Sequence, residues 1–183
     1  MTKVYLLIGA VGAGKSTWAK QLNNENGAKI ISADEIYKTL PVKKISTKPY
    51  DHNIRNHILQ LMCNQLVQCL NTQTDCVIDY TNMPTKRRRR FLTIAKRNNA
   101  ELHCKLLLVD KDTLLKQLNK REVENHASHK IKDKEKTIEL YLKRINKSKP
   151  TLLEGFNVIE TYINGVLIKT DNKKSTKRYI NRH

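Results

Sequence analysis

No stretch of this sequence is apolar for long enough to cross a membrane. The first apolar run, Val4-Tyr5-Leu6-Leu7-Ile8, stops at a glycine, far short of the roughly 20 residues that a spanning helix needs. It is also too short for a secretory signal and leads straight into a loop, so a soluble, intracellular protein with no membrane partner is expected. Paired cysteines are missing too: Cys63, Cys69, Cys76 and Cys104 show no C-x-x-C spacing. All four read as reduced, structural thiols, those at 76 and 104 lying in apolar runs where a thiol acts as a small hydrophobe. There is no internal repeat and no composition shift that marks a linker. Acid is scarce, with 17 Asp+Glu against 35 Lys+Arg and a formal net charge of +18. That imbalance selects no fold, but it favours polyanionic partners, nucleic acid first. An anionic membrane surface and a merely solvated basic surface are the competing readings.

What is present fits one globular domain: 183 residues, 39% of them hydrophobic, can bury a core. Val4 to Ile8 reads as a buried parallel strand. Ser16 to Leu22 reads as a helix ended near Asn26-Gly27, Lys29 to Ile31 as a strand, and a helix starts near Asp34. Leu40 to Tyr50, with two prolines, reads as a loop. Between Asp51 and Leu70, the residues Ile54, Ile58, Leu61, Met62, Leu66 and Leu70 recur at helical spacing, a core stripe. Cys76 to Asp79 is a further strand, with Pro84 in the first turn of the next helix. Leu102 to Val109 runs like a buried strand, and Lys111 to Glu122 and Lys134 to Ile145 look helical. Asn157 to Tyr162 and Val166 to Lys169 flank Asn164-Gly165 and suggest a closing hairpin. Strands alternating with helices predict an α/β fold, a parallel sheet with helices on both faces, over residues 1–169. A frayed basic tail is expected over residues 170–183.

Gly9-Ala10-Val11-Gly12-Ala13-Gly14-Lys15-Ser16 matches G-x-x-x-x-G-K-[ST], directly after a strand and before a helix. Gly9, Gly12, Ala13 and Gly14 let successive backbone N–H groups turn inward on phosphate oxygens, and the helix N-terminus adds partial positive charge. Lys15 is expected to reach the β- and γ-phosphates of ATP or another nucleoside triphosphate, and Ser16 to ligate Mg²⁺. Thr17 is the neighbouring hydroxyl at the start of the helix.

Nucleotide binding does not name a reaction, but two further segments bear on it. In Ile30-Ile31-Ser32-Ala33-Asp34-Glu35 a strand ends in a serine and two acids. Acids at that edge sit beside the nucleotide crevice, where Asp34 could serve as general base. Equally, Ser32 could cap a helix whose first turn favours acids, and both can hold together. In Val77-Ile78-Asp79-Tyr80-Thr81-Asn82, Asp79 ends a strand in a place suited to a magnesium-water ligand. Thr81 and Asn82 can orient phosphate or acceptor, and of Arg87 to Arg90 at most two can face one site.

A P-loop, Ser-x-Asp after the second strand and Asp-x-Thr-Asn with downstream arginines together resemble the polynucleotide-kinase-like P-loop kinases. Gly9 to Trp18 and Asp79 to Arg89 are also similar to the kinase-like domain of heterogeneous nuclear ribonucleoprotein U. The resemblance spans Val4 to about Lys149 and implies a P-loop kinase fold with a small helical lid near residues 116–135. It implies Asp34 as general base and Arg121 as the lid arginine that neutralises transferring phosphate, with Lys120 or Lys130 as substitutes. It implies Arg87 and Arg88, with Thr81 and Asn82, as acceptor-binding residues. Two departures stand out. Tyr37 and Lys38 occupy the place where the phage polynucleotide kinase family has an arginine, so Lys38 would meet acceptor phosphate as a point charge. Asn125 to Lys130 lacks the family's proline near the lid's end.

The leading expectation is therefore an ATP-dependent kinase acting on the 5′-hydroxyl of DNA or RNA. The lysine-rich tail (Lys173, Lys174, Lys177, Arg178) favours a polymer over a free nucleoside. A kinase for a small molecule, a modified base or an aminoacyl-tRNA is the alternative, and a non-catalytic, ATP-gated RNA-binding module is the alternative outside enzymes.

Overall fold

The computed structural model describes residues 1–41, 52–124 and 133–173. Six strands form one sheet: β1 (Lys3–Gly9), β2 (Lys29–Ser32), β3 (Cys76–Asp79), β4 (Glu101–Leu108), β5 (Val158–Ile163) and β6 (Val166–Asn172), in the order β2-β3-β1-β4-β5-β6. The first five are parallel, and β6 returns antiparallel to β5. The helices are α1 (Lys15–Asn26), α2 (Ala33–Thr39), α3 (His52–Asn71), α4 (Thr85–Arg97), α5 (Lys111–Val123) and α6 (Lys134–Lys147), with a 3₁₀ turn at Leu152–Glu154.

The continuous apolar character of β1 follows from its central position, since both faces of the strand are covered. Val4, Leu6 and Ile8 enter the larger core beneath α2, α3, α4, α5 and α6. Tyr5 and Leu7 enter the smaller core under α1, with Ala19, Leu22 and Val77. Helices thus lie on both faces, as expected. The stripe on α3 is buried at Ile54, Ile58, Met62, Leu66 and Leu70, each such side chain adding roughly 1.5–3 kcal/mol of burial energy.

Helix ends follow their capping residues. Gly27 closes α1 in the left-handed region at φ 67°. Asp110 caps α5 by accepting from Thr113 N at 2.8 Å, and Asp133 caps α6 by accepting from Lys136 N at 2.9 Å. The expected P-loop helix is one residue longer at its start, and β4 begins at Glu101.

One expectation is corrected here. The tail was expected to begin at Thr170, but β6 runs on to Asn172, because Thr170, Asp171 and Asn172 pair with Glu160, Ile159 and Val158. A polar sequence on an edge strand carries no apolar alternation to announce it. Residues 42–51, Lys130 and the tail residues Lys174, Lys177 and Arg178 lie outside the described residues. The expected lid, 116–135, takes in the end of α5 and the start of α6, and its middle, 125–132, is outside them too.

Candidate active site

The strand order decides where the chemistry-bearing residues meet. Because β3 lies between β1 and β2, the tips of all three strands sit side by side at one sheet edge. Gly9 ends β1, Asp79 ends β3, and Ser32 ends β2 in register with Asp79. The backbone of Gly9 donates to Thr81 O at 3.5 Å, tying the phosphate loop to the segment after β3.

Each loop glycine has its own reason. A Cβ on Gly9 would come within 3.0 Å of Leu107 O on β4, so the loop leaves the sheet where only hydrogen fits. Gly12 and Gly14 take φ values of 85° and 81°, which side-chain-bearing residues rarely adopt. Ala13 is buried, and Ser16 and Thr17 are exposed in the first turn of α1. Lys15 is buried and curls back over the loop, its Nζ donating to the carbonyls of Ala10 at 2.7 Å and Gly9 at 3.3 Å. Burial pulls its pKa down to about 8, while Asp79 and Asp34 raise it and Arg121 lowers it further.

Asp79 has the opposite shift. Burial pushes its carboxyl above the ordinary range and Asp34 adds to the push, against Lys15, a hydrogen bond from the Ser16 hydroxyl, and Arg121. Five residues expected at the site, Lys15, Ser16, Asp34, Asp79 and Arg121, therefore share one electrostatic neighbourhood. Arg121 comes from the last turn of α5, and this helix packs against the loop itself: a Cβ on Gly12 would lie 3.4 Å from Leu118 Cδ2. Lys120 instead pairs with Glu124 at 3.8 Å and is largely exposed.

The two readings of the Ser-x-Asp segment coexist. Ser32 caps α2, accepting from Glu35 N at 3.4 Å, and Asp34 stands in the first turn of that helix, half-buried. Lys38, one turn on, is exposed and pairs with Glu35 at 2.7 Å.

Two expected acceptor residues do not reach the site mouth. Asn82 is fully buried at φ 46°, and its Nδ2 donates to Leu7 O at 3.0 Å and Ile78 O at 3.4 Å. It fastens the β3–α4 connection to β1. Arg88 is also fully buried: Nε and Nη2 donate to the Glu154 carboxylate at 2.8 and 2.6 Å, and Nη1 to Met83 O and to Asn82 O at 3.2 Å. With Nη2 also donating to Thr85 Oγ1 at 3.1 Å, all five guanidinium N–H groups are engaged, so this side chain braces the core and has none left for a substrate. Arg87, half-buried, does face the edge, donating to Thr81 Oγ1 at 3.1 Å and lying 4.5 Å above the Tyr80 ring.

Lys105 went unremarked in the sequence. Its Nζ pairs with Glu160, donates to Tyr162 Oη at 3.1 Å and sits 4.6 Å from the Trp18 ring centroid. It anchors Trp18, and with it the first turns of the phosphate-loop helix, to β4 and β5. The one available sign was a lysine inside the apolar run from Leu102 to Val109.

Mg²⁺ fits what is here. A hydroxyl and a carboxylate, Ser16 and Asp79, already meet beside a buried lysine. Among the described residues no group of three His, Cys, Asp or Glu could form an all-protein cage, and magnesium beside a nucleotide typically takes one or two protein ligands plus phosphates and water.

A mostly parallel sheet in this order, with a phosphate loop between β1 and α1 and an acid at the tip of the adjacent strand, is the fold of the P-loop kinases. The chain belongs to the AAA domain family, whose profile matches residues 4–147. Solved structures share the fold at low identity. The structure of the PezAT chromosomal toxin–antitoxin system of Streptococcus pneumoniae superposes with a TM-score of 0.69 at 14% identity, over 97% of this chain and 76% of that one. The Pnkp1/Rnl/Hen1 RNA repair complex contributes a chain matched at TM-score 0.66 and 19% identity, over 81% of this chain and 45% of that one. A sugar kinase from Janibacter sp. HTCC2649 matches at TM-score 0.61 and 13% identity, over 99% and 94%. In sequence, no curated protein matches. Among the described residues no helix is long and apolar enough to cross a membrane.

Proposed function

We propose that this protein is an ATP-dependent kinase that phosphorylates the 5′-hydroxyl end of a nucleic acid. The observation that carries the reading is the meeting of Asp34, Lys15, Asp79 and Arg121 around one phosphate loop. The acceptor oxygen attacks the γ-phosphorus in line and releases its proton to Asp34. The bond to the bridging oxygen breaks, and ADP leaves with its charge countered by Lys15 and Arg121. Ser16 and Asp79 would hold Mg²⁺, which supplies further positive charge to the phosphates. The loop glycines, Ala13 and Thr17 cradle the triphosphate, and residues 116–135 act as the lid. Lys38, one turn after Asp34 on α2, and Arg87, which donates to Thr81 Oγ1, serve the acceptor together with Thr81.

The net charge of +18 supports a polyanionic acceptor, and one structural neighbour belongs to an RNA repair complex. The sugar-kinase neighbour keeps a small-molecule acceptor as the second reading. Incubation with γ-labelled ATP and matched 5′-hydroxyl DNA, RNA and nucleosides separates them: label is expected on the polymers. Label on nucleosides or sugars alone would sink the polynucleotide reading, and no transfer to any acceptor would leave a binding module. Asp34→Asn is expected to abolish transfer and retain nucleotide binding; a variant that still transfers at the wild-type rate removes Asp34 as the base.

A further inference from the structure

The sheet has two edges, and only one is built to stay unpaired. At one edge, β2 is four residues long and opens with the exposed Lys29, a short, charged form that discourages further pairing. At the other, β6 runs for seven residues without a proline. Its apolar residues Val166, Leu167 and Ile168 are exposed, as is Ile163 across the hairpin turn. From Thr161 to Ile168 no residue is charged, in a chain where 28% are. The polyanions that suit the rest of the chain find no charge over this stretch. An exposed apolar edge of this length is a template for another strand.

The second half of β6 says which strand. Lys173 N donates inward to Asn157 O at 3.1 Å, and backbone groups alternate in direction along an antiparallel strand. Lys169 and Asp171 therefore also turn their N–H and C=O toward β5, and Thr170 and Asn172 turn theirs outward. The register shift on β6 ends at Lys169, and Lys169 to Asn172 pair regularly with Thr161 to Val158. Lys169 and Asp171 share one face and are ion-paired at 3.1 Å. A two-fold axis at Thr170 sets Lys169 of each strand against Asp171 of the other. Such a pair is of the non-hydrogen-bonded kind, in which side chains approach most closely. An axis one residue away, at Lys169 or at Asp171, would instead oppose like charges.

We propose that two copies of this chain join through β6, antiparallel about a two-fold axis at Thr170, into one sheet that continues across the dimer. The two Thr170 residues exchange backbone hydrogen bonds, and the two Lys169–Asp171 pairs become a ring of alternating charge. The same surface is used by both copies, so the assembly closes at two. β4 and β5 separate this edge from β1, so the phosphate loop of each copy lies outside the interface. The inference does not depend on which reaction the site performs. A charge of +18 on each copy opposes the meeting, so association strengthens as salt screens it. Binding of a polyanion does the reverse.

Sedimentation velocity of nuclease-treated protein over a rising concentration series is the test. Wild type is expected to pass from monomer to dimer, and at lower concentration when salt is raised. Thr170→Pro removes one outward N–H from each strand and leaves the inward bonds in place, and proline is tolerated on a sheet edge. It is expected to weaken association at least about tenfold, the worth of two ordinary hydrogen bonds. Lys169→Asp and Asp171→Lys each bring like charges opposite one another, and both are expected to weaken it, whereas the two exchanges together recover it. Net charge alone would move these two single variants in opposite directions. Thermal unfolding of each variant checks the fold, and should Thr170→Pro unfold, the charge exchanges decide. A wild type that stays monomeric at every concentration and salt overturns the proposal. So does a dimer indifferent to Thr170→Pro and to both single charge exchanges, since its interface lies elsewhere.

Discussion

Lys15 is costly to the fold, and in the proposed mechanism it is also the residue that meets the phosphates. Its ammonium is buried with two backbone carbonyls as hydrogen-bond partners, and burial brings its pKa from 10.5 to about 8. A lysine whose folded pKa lies below its unfolded value binds fewer protons when folded, so stability rises with pH between about 8 and 10.5. Below that window the charged form costs stability, on the order of 3 kcal/mol. Lys15→Met is therefore expected to stabilise the nucleotide-free protein near pH 7 by up to that amount, with the gain fading above pH 8. Nucleotide affinity should fall in the same variant. Denaturant unfolding at pH 7 and pH 10 checks this, and an equal gain at both would refute the assignment of cost to the charge. Phosphate groups arriving at the loop reverse the balance, since they favour the ammonium form that burial disfavours.

At the scale of elements, α4 is held by its second arginine. Arg88 is wholly buried, and Glu154, whose side chain is 14% exposed, meets it with both carboxylate oxygens. The same carboxylate accepts from Thr151 N at 3.3 Å and so closes the capping box of the 3₁₀ turn. One ion pair thus joins α4 to the segment that leads into β5. Removing one partner of such a pair strands the other, typically at about 3–5 kcal/mol, whereas replacing both with apolar groups costs far less. Arg88→Met is expected to lower unfolding stability by that amount, and Arg88→Met with Glu154→Leu to recover part of it. Urea titration measures both; a loss below about 1 kcal/mol for the single variant would refute the structural role given to Arg88. The neighbouring Arg87 lacks any such carboxylate partner among the described residues, so of two adjacent arginines on one helix one is braced in the core and the other is not.

For the whole molecule, the charge of +18 is the property that reaches beyond contact distance. A net charge of this size and sign favours polyanions over distances longer than any contact. If the acceptor is a polynucleotide, affinity for a 5′-hydroxyl oligonucleotide is expected to fall steeply between 50 and 200 mM salt, by a slope of about 0.7 per neutralised phosphate for a single strand. Fluorescence anisotropy across that range is the measurement, and a flat response would remove the polyanionic acceptor.

Sequence by itself determined the phosphate loop, because its function is local: eight consecutive residues between a strand and a helix carry the glycines, lysine and serine together. It determined the alternation of strands and helices for the same reason, through periodicity and capping residues. The division of labour among distant residues was decided by the tertiary structure alone. Asp34, Asp79 and Arg121 are far apart in the chain and become neighbours only through the order β2-β3-β1 and the packing of α5 on the loop. Arg88 and Asn82, read from the chain as substrate contacts, are inside because Glu154 and the carbonyls of β1 and β3 are there to meet them. Burial and partners are properties of place, and place is settled only when the sheet has closed over its two cores.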